Sequence, residues 1–171
     1  MRCGPKRFRR KRQRNAETGY RGSKGIFVMA KEKVLLVDDE LEFTQVLSER
    51  MKARGVDVDT AASGHEALEK VKGRSYDAII LDFSMPEMDG IETLRHLVED
   101  NPDLQVILLT GYATLEKGIE AIKLGAMDFL EKPAEIQKLM EKIQQAKANK
   151  MLLVEQQMEE KIKGILETKS W

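Results

Sequence analysis

A single cysteine, Cys3, leaves the chain with no internal disulfide framework. Long apolar runs are missing as well. The longest candidates, Val106-Ile107-Leu108-Leu109 and Met151-Leu152-Leu153-Val154, fall far short of the roughly 20 residues a membrane-spanning helix needs. No internal repeat is present, and net charge is absent, since 29 Lys/Arg balance 29 Asp/Glu. With 171 residues, 42% of them hydrophobic and 34% charged, the chain is expected to form one globular domain with extensions. Membrane contact is not expected, and the cytoplasm is the default location.

The zero balance hides an asymmetry. Residues 1–28 hold ten Lys/Arg and one acid, Glu17, leaving 19 bases and 28 acids for the remainder. This basic head has no apolar periodicity and no central apolar stretch. It reads as a disordered extension, in preference to a phosphate-binding arm or a targeting leader, and nucleic acid is not an expected partner. "AKEKVLLVDDE" follows Met29 directly, so translation is expected to begin there, with 1–28 as upstream sequence.

From residue 33 onward, short apolar runs alternate with amphipathic stretches. Val34–Val37 reads as a strand, and Leu41, Val46, Leu47 and Met51 then recur at helical spacing. Residues 56–60 alternate like an edge strand, and Ser63 can cap a helix carrying Ala67, Leu68 and Val71. Strand 78–82 precedes a helix with Ile91, Leu94, Leu97 and Val98. Strand 104–109 precedes a helix with Leu115, Ile119, Ile122 and Leu124. Phe129-Leu130 makes a fifth strand, and Pro133 opens a last helix. Five strands alternating with five helices predict an α/β fold, a parallel sheet wrapped on both faces with right-handed crossovers.

The last helix is longer than such a fold requires. No Gly or Pro interrupts 134–163, and Ile136, Met140, Ile143, Met151, Val154, Met158, Ile162 and Ile165 form an apolar face that Lys147 breaks once.

In "AIILDFSMPEMDG", residues 78–90, a core strand ends on a carboxylate, Asp82, which is costly unless something pairs with it. The other unusual polar residues share the same address. Asp38 and Asp39 follow the first strand, Thr110 ends the fourth, and Lys132 follows the fifth. Ligand sites in open α/β sheets gather at these carboxyl ends. Three converging carboxylates repel one another unless a cation joins them, and hard oxygen donors open to water suit Mg2+. A cation and an ammonium beside a carboxylate point to a phosphoryl substrate, with Asp82 as nucleophile and the Thr110 hydroxyl as donor. His65 and His96 read as exposed helix residues, and Met85 and Met88 as loop packing.

"VLLVDDE", "AIILDFSMPEMDG", "VILLTGY" and "DFLEKP" together resemble the receiver domain of bacterial two-component response regulators, over about residues 33–145. Separations of 43, 28 and 22 residues from Asp39 to Asp82, Thr110 and Lys132 suit that family. The resemblance implies a CheY-like, flavodoxin-like doubly wound sheet of five strands, order 2-1-3-4-5. It implies Asp82 as phosphoacceptor, and a sensor histidine kinase or phosphotransfer protein as donor. It implies Mg2+ held by Asp39, Asp82 and the backbone carbonyl of Ser84, with Asp38 acting through water. Lys132 would contact the phosphoryl group. Thr110 and Phe129 would be the switch residues, and Lys132–Pro133 would be cis.

The expected organisation is a basic extension over 1–28, a receiver over 29–145 and a helical extension over 146–171. The expected function is a stand-alone receiver, not an enzyme, that reaches a downstream protein through its fourth and fifth helices and the extension, with weak homodimerisation as an added contact. A truncated regulator of the NtrC type, which the sequence also resembles, is the alternative. A Mg2+-dependent aspartyl-phosphate phosphatase is a weaker one, because enzymes of that kind want an Asp where Ser84 stands.

Overall fold

A computed structural model describes residues 30–111 and 115–168. The basic head and the proposed start at Met29 lie outside the described residues. The elements run β1 Lys33–Val37, α1 Leu41–Lys52, β2 Asp57–Ala61, α2 Gly64–Gly73, β3 Ala78–Asp82, α3 Gly90–Asp100, β4 Val106–Thr110, α4 Leu115–Lys123, β5 Asp128–Glu131 and α5 Ile136–Thr168. The five strands form one sheet in the order β2-β1-β3-β4-β5, every neighbouring pair parallel. This is the doubly wound, flavodoxin-like order expected from the sequence.

Strand alternation sorts the core into two layers. Val34 and Leu36 of β1, Ile80 of β3 and Ile107 and Leu109 of β4 pack with Leu47 and Met51 of α1 and Leu139, Ile143 and Ala146 of α5. Their neighbours Leu35, Val37, Ile79, Leu81 and Leu108 face the other way, against Leu94, Leu97 and Ala121. Both faces being covered explains why β3 and β4 read as unbroken apolar runs. The two edge strands differ: Asp57 and Asp59 punctuate β2, and Asp128 and Glu131 bound β5.

The helix ends follow local chemistry. The Ser63 hydroxyl accepts from the Glu66 N–H, and the Glu66 carboxylate accepts from the Ala62 N–H. The Asp89 carboxylate accepts from the Glu92 N–H at the start of α3. Past α4, Gly125 sits at φ +106°, a conformation that ends a helix at little cost only for glycine.

Some helix faces differ from the periodicity. Leu41 and Val46 are exposed, and α1 buries Thr44 and Ser48 beside Leu47 and Met51. On α4, Ile119 and Ile122 are exposed, and Gly118 and Ala121 are buried. Strand β4 begins at Val106, because the Leu104 N–H still bonds back to the Asn101 carbonyl in a turn. Pro133 precedes α5 by three residues, after a cis Lys132–Pro133 bond.

Helix α5 is continuous across all 33 of its residues. Lys147, the break in its apolar face, donates to the Ala30 carbonyl and the Glu32 carboxylate. Lys150 donates to the Ser75 hydroxyl, the Tyr76 carbonyl and the Asp77 carboxylate. These ammoniums tie the helix to the segments that lead into β1 and β3. Farther on, the Gln157 amide donates to Asp103 at 2.5 Å.

Candidate functional site

The order of the sheet reverses at β1, so the crevice between the carboxyl ends of β1 and β3 is where such a fold places a ligand. Asp38 leaves β1 fully buried, its N–H bonded to the Ala61 carbonyl and its Oδ1 accepting from the Glu40 N–H at 2.9 Å. Asp82 ends β3 and is 4% exposed. Its Oδ2 accepts from the Ser84 N–H at 3.2 Å. The turn after it is held by Phe83, whose N–H bonds to the Leu109 carbonyl and whose carbonyl accepts from the Gly90 N–H. A Cβ at residue 90 would lie 2.3 Å from the Asp82 carbonyl oxygen, so glycine is required for the turn to close this tightly.

Lys132 is what pairs with the carboxylate at the end of the core strand. Its Nζ lies 2.6 Å from Asp38 Oδ2 and 2.8 Å from Asp82 Oδ1, and its backbone N–H bonds to the Thr110 carbonyl. That last bond carries the β4–β5 ladder into the loop and fixes the height of Lys132. Burial pushes the Asp82 carboxyl above its ordinary range; the Lys132 hydrogen bond opposes this, and the Asp38 charge adds to it. Burial also acts to lower the Lys132 ammonium, but its hydrogen bonds to Asp38 and Asp82 prevail and raise it.

The third carboxylate, Asp39, is exposed, and one oxygen each from Asp38, Asp39 and Asp82 lie within 4.8 Å of one another. Three hard oxygen donors, three negative charges and one fixed ammonium leave an excess that a divalent cation offsets, and the donor set fits Mg2+. Thr110 is buried at the end of β4, and Ser84 is exposed in the loop after Asp82. Phe129 is half-buried in β5, packed in the layer with α4, its ring directly over Gly118.

Sequence reading missed two neighbours. The Phe43 ring lies 4.3 Å from the Lys132 ammonium, and the Thr44 hydroxyl donates to the Glu40 carbonyl at 3.0 Å. Their signal in the sequence is a Phe and a Thr in the first turn after an acidic pair, beside the larger apolar Leu41 and Val46. Gly118 leads to a prediction of its own. In a helix, Gly→Ala ordinarily stabilises by about 1 kcal/mol. Here the new Cβ would lie 2.4 Å from the Phe129 ring. Gly118→Ala is therefore expected to destabilise by about 1–3 kcal/mol in urea titrations, and Phe129→Leu added to it should recover part of the loss.

Residues 34–144 match the family model described as the response regulator receiver domain. The chain belongs to that family. A receiver domain protein from Clostridium thermocellum is 35% identical, with a TM-score of 0.68 over 71% of this chain and 98% of that one. The receiver is 30% identical to a chain of the CheX–CheY–BeF3–Mg2+ complex from Borrelia burgdorferi, with a TM-score of 0.63, covering 66% of this chain and 86% of that one. Among curated proteins it is 34% identical over 122 residues to the transcriptional regulatory protein ZraR of Salmonella typhimurium, an NtrC-type regulator. That match covers 71% of this chain and 28% of ZraR, so the receiver spans little more than a quarter of that relative. Phosphorylation on aspartate and Mg2+ binding are typical of the family. Among the described residues, no helix is long and apolar enough to cross a membrane.

Proposed function

We propose that this chain is a stand-alone cytoplasmic receiver that takes a phosphoryl group onto Asp82 from a histidine kinase or phosphotransfer protein and signals through protein contacts. The observation that carries this reading is a buried nucleophilic carboxylate, Asp82, in contact with Lys132 and beside two further acids. A carboxylate oxygen of Asp82 attacks phosphorus, an O–P bond forms, and the P–N bond to the donor imidazole breaks, its electron pair leaving with nitrogen. The Lys132 ammonium lies where it can hold the charge that moves onto the phosphoryl oxygens. Thr110, buried at the end of the next strand, supplies a hydroxyl for one of those oxygens.

Asp38, Asp39 and Asp82 would hold Mg2+, with the Ser84 carbonyl as a further ligand, and the metal would neutralise charge between carboxylates and phosphoryl group. The Borrelia complex with BeF3 and Mg2+ supports that combination. The phosphoryl group ends on the chain itself, so the reading assigns a signalling role and no substrate turnover. Output through α4 and α5 is supported by the exposure of Ile119 and Ile122 and of the apolar positions after residue 150. Thr110 and Phe129 would carry the switch, since Phe129 packs under α4.

Incubation with acetyl phosphate and Mg2+ followed by intact-mass measurement tests the reading. A gain of one phosphoryl group that depends on Mg2+ is expected, and no gain would overturn it. Asp39→Ala is expected to weaken Mg2+ binding about tenfold or more, the loss of a charged ligand, as read by metal titration. Its metal-free stability should rise only slightly, because an exposed acid contributes little to the repulsion. A lowered stability with unchanged affinity would contradict the assignment.

A second reading, a receiver segment of a longer NtrC-type regulator, is favoured by the partial coverage of ZraR. The size of the native protein in its source cell separates the two.

A further inference from the structure

Lys117 stands in the first turn of α4, at the end of the sheet where β4 finishes and where Asp82 lies. A cation there faces the positive end of the helix dipole, so the helix itself does not favour it. Its Nζ lies 4.5 Å from the centre of the Phe83 ring, a cation–π contact between two half-buried side chains. Phe83 directly follows the phosphoacceptor, and its own N–H and carbonyl are fixed by Leu109 and Gly90. The Phe83 ring packs in the core layer with α3 and α4, whereas the Phe43 ring beside the Lys132 ammonium packs in the layer with α1 and α5. Two ammoniums on two rings therefore flank Asp82 from opposite layers of the core.

We propose that Lys117 is a second, movable cation of the phosphorylation site. It rests on the Phe83 ring while Asp82 is a free carboxylate, and it swings toward the phosphoryl group once Asp82 carries one. Lys117 takes this role only if Asp82 is the phosphoacceptor, as the receiver reading above has it. The chemistry favours the move. A dianionic phosphoryl group then stands where a single carboxylate charge stood, and it brings further acceptor oxygens. A cation–π contact at a half-exposed place is weak, and an ammonium on a four-carbon stem turns freely. The Phe83 ring cannot follow, because the backbone bonds of Phe83 hold it to β4 and to the start of α3. Leaving the ring frees the first turn of α4 on that side, while Gly118 stays against Phe129. Lys117 thereby sets how firmly the phosphoryl group is held, and it links that hold to the helix that bears the exposed Ile119 and Ile122.

Trifluoroberyllate with Mg2+ mimics a phosphoryl group on a carboxylate and serves as the probe, titrated into the full chain and read by amide chemical shifts. Lys117→Met should raise the dissociation constant about three- to fivefold, and Lys117→Arg should keep it within about twofold. Phe83→Leu should do the opposite and lower it about two- to fivefold, because the cation no longer has a ring to rest on. Phe83→Leu combined with Lys117→Met should match Lys117→Met alone. Both single shifts should fade in roughly 1 M salt, where a charge at this rim is screened. Phe83→Met repeats the leucine test should that variant melt below the working temperature. A merely structural contact would move Lys117→Met and Phe83→Leu in the same direction. That result, or no shift in either, would overturn the proposal while leaving Asp82 as the acceptor. Asp82→Asn should not bind the probe at all. Wild type that fails to bind it in Mg2+ would overturn the receiver reading and the role of Lys117 together.

Discussion

Asp82→Asn is expected to abolish the mass gain of one phosphoryl group and, in the metal-free protein, to raise the thermal midpoint by a few degrees. The two effects share one cause. Asp82 is buried between Asp38 and the end of a core strand, and its carboxyl is pushed up chiefly by burial. A raised folded-state pKa means the ionised form weakens the fold at pH values above it. Asparagine removes that charge while keeping an oxygen for the Ser84 N–H, and Lys132 retains Asp38. The gain in stability is therefore full at neutral pH. It shrinks as pH falls through the folded-state pKa and vanishes once both folded and unfolded Asp82 are protonated, below about 3.9. Intact mass and thermal melts across that range read both effects. Labelling of the variant at wild-type stoichiometry would remove Asp82 as the acceptor.

Lys132→Met should produce the largest loss of stability of any single change in the site. The ammonium is the only side-chain cation recorded in ion-pair contact with Asp38 and Asp82 among the described residues, and both carboxylates are almost wholly buried. Removing one partner of a buried ion pair leaves the other uncompensated, at a cost of about 3–5 kcal/mol. Methionine keeps the stem's packing near Phe43, so the loss reports charge more than volume. The Lys132 pKa is raised, so its contribution is fully present below the unfolded value near 10.4 and disappears only as pH rises through the folded value. At neutral pH the whole loss is visible. Acid should narrow the gap, since protonating Asp82, whose carboxyl burial already pushes up, relieves part of the uncompensated charge. Added Mg2+ should raise the midpoint of Lys132→Met more than that of wild type, because the metal replaces part of the missing charge. Equal shifts in the two proteins would place the metal elsewhere.

The site and the sheet were legible in the sequence for the same reason. Unbroken apolar runs such as 78–81 and 106–109 admit few readings, and a carboxylate or hydroxyl directly after one has no structural role that explains it. Helix faces were harder to read. On α1 the buried positions include Thr44 and Ser48, whose hydroxyls can be buried because helix carbonyls are in reach, as Thr44 shows. On α4 the inward residues are Gly118 and Ala121, too small for a hydrophobicity pattern to mark beside the larger but exposed Ile119 and Ile122. The anchoring of α5 was hidden because Lys147 and Lys150 read as interruptions of an apolar stripe. Their ammoniums in fact dock on carbonyls and carboxylates at the opposite end of the sheet from Lys132.

The acids on the two edge strands bear on how this protein behaves when crowded. An open parallel sheet exposes a row of unpaired amides and carbonyls along each outer edge, a template for stacking against another chain. Strand β2 carries Asp57 and Asp59 along its edge, and β5 is only four residues long with an acid at each end. Edge-to-edge stacking of two copies would bring like charges together and strip water from them, so filament growth through the sheet is opposed at neutral pH. Arg74 binds both β2 acids, with 2.6 Å contacts to each, and so keeps their carboxylates ordered beside the strand.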